Sequence, residues 1–106
     1  MPPFQAWVDE QRSYYREQYL RMLESLAGVS EKNQEWPRSM DLAQKILRED
    51  PFREDIHCML MRGHAALGNR AAVKEQYEAL RALLQKELGV EPAMQTQKAF
   101  RALMES

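Results

Sequence analysis

Apolar residues recur every three or four positions along almost the whole chain, and two-residue alternation is nearly absent. The pattern predicts helices throughout. The first follows Pro2 and Pro3 as "FQAWVDEQRSYYREQYLRMLESLAG". Trp7, Val8, Tyr15, Tyr19, Met22, Leu23 and Leu26 fall near a 3.6 period, and Gly28 is its predicted stop. The polar "VSEKNQ" reads as a loop. A second helix, about Trp36 to Glu49, sets Met40, Ala43, Ile46 and Leu47 on one side, and Pro37 suits a first turn, which needs no N–H.

In "EDPFRED", Asp50 can cap, Pro51 can take the first helical position, and Glu54 and Asp55 favour a helix N-terminus. A third helix is expected over about Pro51 to Leu67, burying Ile56, Met59, Leu60, Gly63 and Leu67. Gly68 stops it and Asn69 caps a fourth, Arg70 to Leu88, with Val73, Tyr77, Leu80, Leu84 and Leu88 inward. "ELGVEP" closes that helix, because Gly89 supplies a left-handed residue and Pro92 forbids continuation. A fifth helix follows, about Met94 to Met104, with Phe100 and Leu103 inward. Short loops between five helices predict an all-α stack of antiparallel helical hairpins. The run Trp36, Met40, Ala43, Ile46, Leu47, Asp50, Pro51 is similar to the second helix of a tetratricopeptide unit, and "LMRGHAALGNRAAVKEQYEAL" to another. The expectation is a tetratricopeptide-like right-handed α-solenoid.

Composition narrows the function. At 106 residues, 44% hydrophobic and 29% charged, the chain is one domain able to bury a core. Fifteen basic and sixteen acidic residues leave a net charge of −1, with no basic cluster to neutralise phosphates. One cysteine forms no internal disulfide. No apolar run reaches the ~18 residues of a membrane span, and "MPPFQAWVDEQR" is too acidic for a signal peptide. A cytoplasmic protein is the expectation.

The only cysteine and both histidines lie together in "IHCMLMRGH", residues 56–64. Helical geometry argues against a site. His57 and His64 share a direction but stand about 10 Å apart along the axis, whereas zinc ligands hold their donors about 2 Å from one ion. His57 and Cys58 diverge by about 100°, beyond the reach of a Cys–His dyad. His57 is expected at the helix margin with a hydrogen bond, His64 near the core, and Cys58 as a small, half-buried hydrophobe. Met22, Met40 and Met59 read as core filler, and Tyr14, Tyr15 and Tyr19 as core plus one exposed ring. No phosphate-binding loop and no converging carboxylates are present, so no catalytic, cofactor or metal residue is assigned.

Taken together, "DPFREDIHCMLMRGHAALGNRAAVKEQYEALRALLQKELGVEP" closely resembles the bacterial transcriptional activator domain of the Streptomyces antibiotic regulatory protein family. Asp50, Pro51, Glu54, His57, Leu60 and Met61 match that pattern, as do Gly68, Tyr77, Arg81, Leu84, Glu87 to Gly89, Glu91 and Pro92. Trp7, Arg12, Leu23, Leu26 and Ala27 fit the opening helix. Cys58 and His64 depart from the pattern. The resemblance implies a module C-terminal to a winged-helix DNA-binding domain, engaged in dimerisation, packing against that domain and transcription activation. It implies residues 1–106 as one helical domain, the C-terminal part of a longer regulator. The implied partners are proteins: its own winged-helix domain, a second copy, or RNA polymerase. DNA is reached only through a domain absent from this chain. Phe4 and Trp7 are the candidate interface residues, because aromatics are favoured anchors at junctions; packing of Trp7 onto the second or fifth helix is the competing placement. The alternative function is a free-standing tetratricopeptide-like adaptor gripping an extended peptide.

Overall fold

Short turns of identifiable chemistry cut the helical pattern into five pieces. The computed structural model describes residues 3–106, and Pro2 lies outside them. The described residues form α1 (Pro3–Lys32), α2 (Trp36–Glu49), α3 (Glu54–Ala66), α4 (Arg70–Leu88) and α5 (Met94–Glu105). The α3–α4 turn is as anticipated. Gly68 takes φ +76°, the Asn69 N–H bonds the His64 carbonyl at 2.8 Å, and Asn69 Oδ1 accepts the Ala72 N–H at 3.0 Å. Gly89, at φ +65°, ends α4 in the same way.

Two boundaries differ from expectation. Gly28 does not stop α1, which continues through Val29 to Lys32. The continuation keeps Ser30 on the buried line begun by Leu23 and Ala27, and it carries Glu31 to Arg62 of α3, whose Nε donates at 2.7 Å. Those contacts outweigh the roughly 1 kcal/mol that glycine loses against alanine inside a helix. The stop comes at Gln34, which adopts φ +59° while the Glu35 N–H reaches back to the Ser30 carbonyl at 2.9 Å. The second departure is at Asp50. It does not cap a helix starting at Pro51; its Oδ1 accepts the Phe52 N–H at 3.2 Å in a tight turn, and α3 begins at Glu54.

Packing follows chain order. α1 and α2 form one antiparallel hairpin, α3 and α4 a second, α2 packs on α3, and α5 lies across α3 and α4. This is the expected tetratricopeptide-like arrangement. α3 is its centre. Ile56, Met59 and Leu60 join Leu23 and Ala27 of α1 and Ala43 and Ile46 of α2 in one cluster. Cys58 and Met61 face the other way, toward Val73 of α4 and Phe100 of α5. Tyr77 and Phe100 stack with centroids 4.0 Å apart. All six residues from Ile56 to Met61 are buried, as a helix packed from several sides requires. Leu67 and Leu88, expected inward, are exposed at the ends of their helices.

The molecule is elongated, 55 × 35 × 18 Å, with a radius of gyration of 16.2 Å, against about 13 Å for a compact chain of this length. α1 is the cause. Thirty residues make a helix about 45 Å long, and the fourteen of α2 about 21 Å, at about 1.5 Å per residue. Glu49, the last residue of α2, accepts from Arg16 at 3.1 Å. Residues 3–15 therefore stand beyond the end of α2.

Candidate interaction surface

α1 has two apolar faces. One, through Leu20, Leu23 and Ala27, packs on α2 and α3. The other points away from them. At about 100° per residue, Phe4, Val8, Tyr15, Met22, Leu26 and Val29 fall within about 40° of a common line. All but Val8 are exposed, Tyr15 by 65% and Val29 by 58%. Trp7 and Tyr14 flank the line on one side and Tyr19 on the other, also exposed. The outer face is thus apolar and aromatic along nearly the whole helix. A contiguous exposed apolar patch of this kind is a candidate contact surface.

The two candidate residues sit at its free end. Phe4 is 73% exposed and Trp7 58%, with their rings stacked at 6.4 Å between centroids and 30° between planes. Trp7 packs on neither α2 nor α5, since it lies past the end of α2. The rest of the surface departs from the sequence expectation. Periodicity places Tyr15, Tyr19, Met22 and Leu26 in the core and Val29 in a loop, yet all are exposed on this face, and none of the three tyrosines is buried. The signal that periodicity obscures is a second line through Leu20, Leu23, Ala27 and Ser30, offset from the first by about 120°.

The histidine–cysteine segment is structural. His57 is buried; its Nε2 donates to the Pro51 carbonyl at 2.9 Å, which leaves Nδ1 to accept from Gln76 Nε2 at 2.9 Å. It lies deeper than the helix margin, and it ties the α2–α3 turn to α4. Cys58 is buried beside Thr96, and burial pushes its thiol pKa up, away from the reactive thiolate. Among the described residues no group of three or more His, Cys, Asp or Glu gathers as a metal set.

Charged groups along the α3–α5 groove are held in structural contacts. Glu54 Oε1 accepts the Ala93 N–H at 3.0 Å. Arg62 grips Glu31 through two nitrogens. Arg53 binds Asp55 at 2.8 Å and reaches Glu24 of α1; hydrogen bonding to Arg53 holds the Asp55 carboxyl below its ordinary value and raises the arginine. Asp50, Pro51, Glu54 and His57 are thereby the joint that locks both hairpins and the α4–α5 loop together.

Fold and surface describe a small helical-hairpin domain with an exposed apolar and aromatic face along α1. Residues 2–104 match the family model described as "Bacterial transcriptional activator domain". The chain belongs to that family, which places it among transcriptional regulators. No curated protein and no solved structure matches it.

Proposed function

We propose that this chain is a non-catalytic, cytoplasmic protein–protein interaction domain that fixes the placement of a winged-helix DNA-binding domain joined upstream of it. One observation carries the reading: the exposed aromatic and aliphatic face of α1, whose tip projects beyond the rest of the molecule. A helix presenting rings at its end is suited to seat a neighbouring domain, since Trp and Tyr supply large contact areas with few rotors to freeze. With a net charge of −1 the domain reaches DNA through that neighbour and not by its own surface. Phe4 and Trp7 are the residues proposed at the junction.

Trp7 fluorescence tests this, with Trp36 replaced by Phe so that one indole reports. In dilute solution the chain alone emits as an exposed indole. Joined to its winged-helix domain, the emission shifts to the blue, and Phe4→Ala reduces the shift. An unchanged Trp7 emission in the joined protein removes Phe4 and Trp7 from the junction.

A further inference from the structure

Where α3 turns into α4, the structure holds a cavity of about 520 Å³, open to solvent on one side. That volume falls within the ~300–1,000 Å³ of pockets that take small molecules. Four elements enclose it. Trp36 comes from the first residue of α2, Ala65 and Ala66 from the end of α3, Val73 from the start of α4 and Leu103 from the last turn of α5. The space exists because the end of α3 brings only small side chains to it, with Gly68 beyond them. Leu67 is exposed and takes no part in the wall.

The charged lining has one sign. Arg62 and Arg70 border the cavity, and no carboxylate side chain among the described residues does. The two arginines differ in what they hold. Arg62 is spent on Glu31, gripped through Nε and Nη2. Arg70 gives Nη2 to the Ser106 carbonyl and takes part in none of the ion pairs among the described residues. Its remaining N–H groups are available to an acceptor, and an edge of the guanidinium can offer a carboxylate two parallel hydrogen bonds. The neighbouring cavity, between α3 and α5 on the other side of Arg62, is bordered by Glu54 and Asp55 and is the poorer site for an anion.

We propose that this cavity binds a small aromatic carboxylate, with the ring against Trp36, Val73 and Leu103 and the carboxylate on Arg70. Trp36 selects an aromatic body, because an indole gains from offset stacking with a second ring. The all-arginine charged lining selects an anionic head. Such a ligand gives the domain a chemical input separate from the proposed junction, since no residue of α1 lines the cavity. The proposal does not rest on the roles given to Phe4 and Trp7.

Naphthoate is the probe, and naphthalenemethanol its neutral counterpart. Titration of the isotope-labelled chain is followed by NMR at the indole N–H resonances, which separate the cavity, at Trp36, from the exposed face of α1, at Trp7. Naphthoate is expected to move the Trp36 indole and the Ala65, Ala66 and Val73 amides, with a dissociation constant below about 1 mM. It should bind at least about fivefold more tightly than the alcohol. Arg70→Gln should remove that preference, weakening naphthoate at least about fivefold; unchanged affinity for the alcohol shows that the cavity is intact. Ala66→Leu fills the space and should weaken both probes at least about fivefold, with helicity unchanged. A shift at Trp7 without one at Trp36 means adsorption on α1 and overturns the proposal. So do equal affinities for naphthoate and the alcohol, or an Arg70→Gln variant that binds naphthoate as well as the unmodified chain.

Discussion

His57 shows how a residue that looks reactive in sequence is explained by its surroundings. It sits one position from the only cysteine and seven from the other histidine, yet its ring spans from the Pro51 carbonyl to the Gln76 amide. Helical spacing was enough to exclude a metal pair, and it was legible. The depth of His57 was not, because its partners come from a turn and from a helix nineteen positions later, and a linear sequence carries no record of which loop closes over it. Truncation strands two part-buried hydrogen-bonding partners, the Pro51 carbonyl and the Gln76 amide, and leaves a cavity where the buried ring was. His57→Ala is therefore expected to lower stability by about 2–4 kcal/mol. His64→Ala, at a half-buried position without a side-chain hydrogen bond, should cost under about 1 kcal/mol. Urea denaturation of both variants checks the contrast, and equal losses would show that the bridge adds nothing beyond packing.

At the scale of the helix, most boundaries were written in turn chemistry: Gly68, Asn69, Gly89 and Pro92 act as their residue types demand. The end of α1 was not, and the reason is energetic. A glycine favours a stop by about 1 kcal/mol, and that preference yields when one more turn buries Ser30 and delivers Glu31 to Arg62. The double-faced character of α1 is hard to read because the aromatic line is louder than the buried one, which relies on Ala27 and Ser30. Two glycines inside helices therefore give opposite predictions. A Cβ at Gly28 meets nothing within 4 Å, so Gly28→Ala should raise stability by about 1 kcal/mol. If Gly28 were a left-handed stop, the same change would lower it. A Cβ at Gly63 runs into Sδ and Cγ of Met40, where α2 and α3 approach closely. Gly63→Ala should lower stability by about 1–3 kcal/mol, with partial recovery on adding Met40→Ala because the two sites share one gap. Thermal melts of the single and double variants read both signs.

For the molecule as a whole, the all-helical hairpin stack and its family were legible, because order and spacing of many weak signals add. The shape was not legible, because it depends on how far α1 overshoots α2. That overshoot implies uneven stability. α3 is enclosed by α2, α4 and α5, so its amides open only with global unfolding. Residues 3–15 form a helix of about thirteen residues with no helix packed against it, and isolated helices of that length are marginal in water. Opening free energies should run from near zero there to the full value in α3, typically 5 kcal/mol or more. In dilute solution, hydrogen exchange between residues 5 and 14 is expected to be at least about a thousandfold faster than at Met59 to Met61. Dilute protection at Val8 to Tyr14 equal to that of α3 would mean that the tip is held within the single chain. The exposed face would then lose its claim to be waiting for a partner.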